Sequence, residues 1–281
     1  MKIVDAQVHL WYPNTPERPW PPAEEIKPIK PHRDRQAFVL SDLLAEMENA
    51  GIYRAIITPP AWEGDYNDKA IEAAQLYPDR FAVVGRFPLN DPLSKEKLSK
   101  WKEQSGMLGV RLTFSGAQQQ KWLEEGMVDW FWPIAENIGL CISIYVPGNL
   151  PSAKKIAEQY PDLKLIIDHM ACPRGSKDDN AFKHIDELCK LARFPNIALK
   201  VGSLPCYSNE PYPHPKIHKY IRKAHDAFGP ERLFWASDLT RLPCSYALCK
   251  TMFMEEMKWL TVSDLELIMG LAVCKWLNWP M

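Results

Sequence analysis

The sequence has no HExxH, no CxxC, no P-loop, no GxGxxG and no GxSxG. The best-marked zinc-protease, redox-dithiol, nucleotide and serine-hydrolase chemistries are therefore missing. No apolar run approaches the length needed to span a bilayer. The amino terminus goes straight into a strand containing Asp5, without a basic region followed by a long apolar stretch, so it does not read as a signal peptide. An excess of either charge is also lacking. The formal net charge is -1, which argues against a basic field for nucleic acid or an anionic membrane. The aromatic residues are not interleaved with basic ones as on a nucleic-acid surface. Seven cysteines, an odd number without framework-like spacing, suggest reduced thiols and a cytoplasmic setting. What is present is a chain of 281 residues, enough for two average domains or for one (β/α)8 barrel.

The first ten residues organise the reading. Ile3, Val4, Val8 and Leu10 make a short apolar run with β-branched members, the pattern of a buried strand. Alternation along a strand predicts Asp5, Gln7 and His9 on one side. Three polar groups on that side would be costly unless it faces a site. In a closed parallel barrel such a row points into the mouth at the carboxyl end. Residues 11–35 follow, with Pro13, Pro16, Pro19, Pro21, Pro22, Pro28 and Pro31 ruling out a regular helix. Trp11 and Trp20 in this stretch need a surface to cover, so it is expected to be a long loop folded over the mouth.

Beyond it, strand and helix patterns alternate. Ser41-Asp42 opens a helix that closes at Gly51. Further strands are expected at 53–58, 81–87, 107–114, 140–146, 163–170, 197–204 and 232–239. Helices are expected at 67–77, 95–104, 128–137, 150–159, 181–192 and 216–228, and from Tyr246 and Ser263, the last with Ser263 and Glu266 as a capping box. Eight strands, each followed by a helical stretch, predict a single-domain (β/α)8 TIM barrel over residues 1–281. A doubly wound open sheet would more naturally show a glycine-rich first turn, and this one has none.

Polar residues collect at the carboxyl ends of these strands. The first strand supplies Asp5, Gln7 and His9; the fourth, Arg111; the fifth, Tyr145; the sixth, Asp168 and His169. Lys200 comes from the seventh and Asp238 from the eighth, with Arg241 just beyond. A lone buried histidine is often a hydrogen-bonded structural residue, but titratable groups from nearly every strand meeting at one mouth are expected of an active site. Lys200 also reads simply as a partner for Asp168. His184, His218 and His225 fall within helices and read as structural, while His214, among prolines, is left undecided. Cys172, Cys206 and Cys244 follow the last three strands; free buried thiols are favoured there over a thiolate zinc site.

Asp5-x-Gln7-x-His9 on the first strand, His169 ending the sixth and Asp238 ending the eighth resemble the amidohydrolase superfamily. The nearest branch is similar to the amidohydrolase-2 (amidohydrolase-related) family, with its sugar-lactone and pyrone-dicarboxylate lactonases and its decarboxylases. The likeness covers nearly the whole chain and implies a barrel of metal-dependent-hydrolase type. Binuclear members hold two metals with paired histidines on strand one, a lysine on strand four, histidines on strands five and six and the strand-eight aspartate. In this chain Gln7, Arg111 and Tyr145 stand at three of those places. Arginine keeps its charge and glutamine is a poor transition-metal ligand. His9, His169 and Asp238 remain, a set sufficient for one catalytic zinc. The guanidinium of Arg111 would oppose that cation, and the branch includes members that work without metal. No metal is therefore the expectation, with one zinc at His9, His169 and Asp238 as the alternative.

The resemblance implies a hydrolase opening a lactone, or a similar cyclic ester, of a small carboxylated compound. Asp238 would be the general base for water. His9 and His169, with Gln7 as a further donor, would stabilise the oxyanion. Arg111 would pair with a substrate carboxylate in a two-pronged fork, Tyr145 would bond the substrate or the water, and Lys200 and Arg241 would serve a second anionic group. The alternatives are a single-zinc amidohydrolase or decarboxylase on the same barrel, and a catalytically silent barrel that binds a small acid. A small-molecule substrate is the expected partner, with no nucleic acid and no membrane; a homo-oligomer stays open.

Overall fold

The apolar runs pair side by side into one parallel sheet that follows chain order. Its strands are β1 (Val4–Val8), β2 (Arg54–Ile57), β3 (Phe81–Arg86), β4 (Met107–Thr113), β5 (Cys141–Tyr145), β6 (Leu165–Ile167), β7 (Ile197–Gly202) and β8 (Leu233–Ala236). Beyond β8 the Asp238 N–H donates to the Gln7 carbonyl at 3.0 Å, so the sheet comes nearly full circle as a single-domain TIM barrel. The computed structural model describes residues 1–20 and 37–281.

Helices follow the strands: α1 (Leu40–Ala50), α2 (Asp68–Leu76), α3 (Ser94–Ser99), α4 (Ala117–Glu124), α5 (Phe131–Asn137) and α6 (Leu150–Gln159). The second half adds α7 (Asp178–Ala181), α8 (Ile185–Lys190), α9 (Pro215–Phe228), α10 (Tyr246–Thr251), α11 (Val262–Glu266) and α12 (Ala272–Leu277). Their boundaries have local causes. Gly51 closes α1 in the left-handed region at φ 66°, returning its N–H to the last turn. Ile217, Ile221, Ala224 and Phe228 are the buried residues of α9 and recur at helical spacing. The capping box of α11 lies two residues earlier than the sequence suggests. Thr261 Oγ1 accepts from Asp264 N at 3.1 Å and Asp264 Oδ2 accepts from Thr261 N at 2.9 Å. Helix α4 carries no readable apolar stripe, since only Leu123 of it is buried.

Apolar groups fill the lower barrel. Val4, Ala6, Ile56, Ala82, Ile166, Ala198, Phe234 and Ala236 share one cluster with Ala272, Val273 and Leu277 of α12. Strand residues of opposite parity, such as Ile142, Ile167, Leu199 and Val201, pack in the larger cluster with the outer helices. With the bottom closed by hydrophobic side chains, the polar interior begins above it.

The first strand departs from simple alternation. Asp5 is opposite Ala55 but Val8 is opposite Ile57, so β1 carries one residue more than β2 over this stretch. Ala6 lies in the interior cluster, and Gln7 beside it also faces inward, toward Lys200 and His169. Asp5 turns the other way. Its carboxylate accepts from Gln7 N at 2.9 Å, Ser237 N at 3.0 Å, Tyr246 Oη at 2.6 Å and Ser237 Oγ. The expectation that Asp5, Gln7 and His9 form one row is corrected: Asp5 ties β1 to the end of β8 and to α10.

Candidate active site

Two polar layers sit above the apolar plug. The lower one centres on Asp168, which is fully buried. Its Oδ2 accepts from Arg111 Nε at 2.8 Å, and its Oδ1 takes Ser143 Oγ at 2.6 Å and Lys200 Nζ at 2.7 Å. Lys200 Nζ also donates to Ser143 Oγ and Gln7 Oε1, each at 3.0 Å, so all three of its donor positions are taken. Burial alone would raise the Asp168 carboxyl, but Lys200 and then Arg111 hold it well below its ordinary range. The structure thus pairs Lys200 with Asp168 rather than leaving it for a second anion. Arg111 gives Nε to the same carboxylate.

The upper layer is built on turns. His169, Ser203 and Asp238 follow β6, β7 and β8, and each adopts the left-handed region, at φ 51°, 57° and 54°. Such positions cost about 1–3 kcal/mol apiece and concentrate at functional sites. The left-handed run His169, Met170, Ala171 is also why β6 stops at Ile167 rather than running on to Met170. These turns bring the side chains together: Ser203 Oγ donates to Asp238 Oδ2 at 2.5 Å, and Arg241 Nη1 donates to the same oxygen at 3.1 Å. His9 Nε2 lies 2.8 Å from Asp238 Oδ1, with its Nδ1 held by the Thr58 carbonyl. Burial would raise the Asp238 carboxyl, but His9 and Arg241 keep it well below the usual range and so ionised.

His169 is arranged differently from His9. Lys200 can only donate, so the Gln7 oxygen faces it and the Gln7 amide N–H points to His169 Nε2, 3.3 Å away. His169 Nε2 therefore accepts, and burial lowers the ring from its ordinary 6.5 to about 3. A Cβ at Gly202 would stand 3.2 Å from His169 Nδ1 and 3.0 Å from Ala236 Cβ; glycine keeps that space open. Tyr145 packs edge-on to this ring at 5.7 Å and gives its hydroxyl to the Cys172 carbonyl at 2.8 Å. Asp5, Lys200 and Tyr145 are in place but occupied by the protein itself. Gln7, His9, His169, Asp238 and Arg241 meet.

Sequence reasoning passed over Arg86 and Arg174. Arg86 ends β3 in register with Arg111, and its Nη1 donates to Thr113 Oγ1 at 3.0 Å. Burial, then the charge of Arg111, lowers it to about 10. Arg174 lies 5.3 Å from the centre of the Tyr145 ring. Arg86 carried a readable signal, a charged residue ending an apolar strand; Arg174 lies in a loop and carried none. At the flanks of the proline-rich stretch, Trp11 pairs with Phe38, and Trp20 packs on Trp62 of the segment after β2 at 5.4 Å. The rest of the loop, residues 21–36, falls outside the described residues.

A family model described as amidohydrolase matches residues 4–279. The chain belongs to the amidohydrolase family. It is an enzyme of hydrolase type, as its family and relatives support. This amidohydrolase is 25% identical over 243 residues to L-fucono-1,5-lactonase of Burkholderia ambifaria, covering 84% of this chain and 79% of that one. Its fold matches an amidohydrolase of Burkholderia multivorans with bound zinc at a TM-score of 0.82 and 18% identity, over 100% of both chains. It also matches a putative 2-pyrone-4,6-dicarboxylic acid hydrolase of Pseudomonas putida at 0.70 and 17% identity, over 100% of this chain and 98% of that.

The zinc of the Burkholderia multivorans relative can be tested against the residues present. His9 Nε2 and His169 Nε2 approach the same Asp238 carboxylate, at 2.8 and 3.8 Å. As held here the set does not suit the ion. The Gln7 amide occupies the lone pair that His169 would give to a metal, and Arg241 sits 3.1 Å from the carboxylate. Among the described residues, no group of three His, Cys, Asp or Glu is arranged to hold a metal ion. The thiols do not supply one: burial raises Cys172, and it raises Cys206 to about 12. His184, His218 and His214 each bond a backbone carbonyl, of Met170, Pro213 and Glu210, at 2.7 Å. No helix among the described residues is long and apolar enough to cross a membrane.

Proposed function

We propose that this amidohydrolase is a lactonase that opens a cyclic ester of a small carboxylated compound, with Asp238 as the base for water and without a metal. The observation that carries the reading is the Asp238 carboxylate at the mouth, kept ionised and aligned by His9 at 2.8 Å, Ser203 and Arg241. The 25% identical lactonase supports the reaction class. Asp238 takes a proton as the water oxygen attacks the ester carbonyl. When the tetrahedral intermediate collapses, the ring C–O bond breaks and the departing oxygen receives that proton, leaving a hydroxy acid.

The His9 and Arg241 side chains are 5% and 9% exposed, against 1% for Asp238 and His169. They are the members of the set that reach the opening. Arg241, which gives Nη1 to Asp238, would carry the charge on the carbonyl oxygen with its other N–H groups. His9, with Nδ1 on the Thr58 carbonyl and Nε2 on Asp238, aligns the base. Gln7 and His169 act behind them: the Gln7 amide, oriented by Lys200, holds the neutral ring in place. The Arg111 edge not used by Asp168 faces the substrate carboxylate.

Turnover on a panel of neutral and carboxylated lactones, followed by proton release with and without chelator, tests this. Carboxylated lactones are expected to be opened, in protein with substoichiometric metal and at a rate unchanged by chelator. Stoichiometric zinc whose removal abolishes turnover would overturn the metal-free reading. Absence of hydrolysis across the panel would remove the lactonase.

A further inference from the structure

Asp5 is fully buried, and no cation among the described residues pairs with it. Burial pushes its carboxyl up to about 6, against the pull of the hydrogen bonds it accepts. A carboxylate taken from water without a cation is costly, and an apolar side chain at this place would avoid the cost. What Asp5 supplies instead is acceptor capacity. Its Oδ1 takes the peptide N–H groups of Gln7 and Ser237, and its Oδ2 takes the hydroxyls of Ser237 and Tyr246.

These bonds fall at the seam of the barrel. Strand pairing runs from β1 to β8 in chain order, and no ladder register joins β8 back to β1. At the upper end of that seam Ser237 N and Oγ cross to the Asp5 carboxylate, and Asp238 N crosses to the Gln7 carbonyl. The N–H groups of Ser237 and Asp238 are thus both fixed to β1 where the chain enters the left-handed region at Asp238, φ 54°. Such a conformation persists only when its surroundings over-determine it. Asp5 holds Ser237, the residue before the base, by two bonds. The same Oδ1 holds the N–H of Gln7, whose side-chain amide meets His169. Asp5 itself reaches Tyr246 of α10, so its effect on the mouth passes through Ser237 and Gln7.

We propose that Asp5 is a positioning residue for Asp238: it sets the turn that aims the base, and it fixes the strand position from which Gln7 meets His169. The inference rests on the proposed role of Asp238 as the base, and it adds a residue outside the mouth on which that role depends. A carboxylate is required for this. Either way round, an amide would present an NH2 group to two of the four donors that now point at Asp5.

Asp5→Asn and Ser237→Ala test it. The second cuts one bond of the link and leaves the carboxylate in place, so it decides the matter if Asp5→Asn does not fold. The first readout is the ring N–H resonances of His9 in solution NMR, assigned against His9→Gln. His9 Nε2 lies 2.8 Å from Asp238 Oδ1, so these resonances report where that carboxylate stands. Both variants are expected to displace them, Asp5→Asn further. The second readout is turnover of a lactone that wild type opens. In Asp5→Asn kcat should fall by about tenfold, as a misaimed base allows, with a smaller fall in Ser237→Ala. KM should stay within about twofold, because the groups that bind substrate are untouched. A purely structural Asp5 would lower the thermal midpoint and leave the resonances and kcat at their wild-type values. Either readout at its wild-type value overturns the proposal, as does a rise in KM with kcat unchanged. If wild type opens no lactone, the base assignment fails by itself and the His9 resonances decide: displaced, Asp5 still positions Asp238; unmoved, it does not.

Discussion

In the lower polar layer Asp168 faces Arg111, Lys200 and Ser143 within 2.8 Å, whereas Arg86, in register with Arg111, and Arg174 in the loop after β6 pair with no carboxylate among the described residues. Both regions put charged side chains into a narrow barrel interior, and both lie on strand ends or just beyond. In the first, each buried charge is matched and hydrogen-bonded. In the second, charge is left over, and the turns that carry His169, Ser203 and Asp238 are held in a sparsely populated backbone region. A matched layer resists change, and an unmatched one is prepared for a ligand. Residue type alone does not separate the two; the partners do.

The sharpest way to break this comparison is to unbalance the matched layer. Asp168→Ala should leave Lys200 and Arg111 buried without their acceptor and cost about 3–5 kcal/mol, the range for breaking a buried pair. Urea unfolding would measure it, and a loss within error would mean that the layer does not carry the stability assigned to it. Next comes Asp238→Asn, which should lower turnover by about a hundredfold or more while a carboxylated ligand still binds. Wild-type turnover in this variant would leave the proposed reaction without its base. Arg111→Lys tests a residue that touches both regions. It keeps the charge but loses the planar fork, so KM should rise by roughly tenfold with a smaller change in kcat. A pure kcat effect would place Arg111 in the transition state instead.

The smallest expected effect is on acid stability. His169 is held at about 3 in the folded protein against an ordinary 6.5, so over this range the unfolded chain binds the proton first. Its contribution is complete above about pH 6.5 and is lost progressively as pH falls toward 3. Asp168, held below its ordinary 3.8, adds a loss that begins only near that lower value. Asp5 and Glu63, raised by burial to about 6 and about 7, contribute in the opposite sense over the same range, so the wild-type slope from pH 7 to 4 is a balance. His169→Gln should therefore lose less stability, or gain more, toward pH 4 than wild type. Parallel profiles would show that His169 takes up its proton without cost to the fold.

The sequence by itself determined the number and order of strands, because period-two and period-3.6 apolar patterns are local properties that survive without knowledge of neighbours. It also determined that Gln7, His9, His169 and Asp238 would lie at one mouth, since parallel strands in chain order share a carboxyl end. Only the tertiary structure decided the rest. One extra residue in β1 turned Asp5 away from the row it was expected to share with Gln7 and His9. Contacts across the barrel paired Lys200 with Asp168 and gave the Gln7 amide to His169. Left-handed turns after β6, β7 and β8 gathered Ser203, which no sequence pattern marks, onto Asp238. Facing and partnership are relations between strands distant in the chain, and a bulge or a turn of that kind is held in place by the neighbours it meets after folding.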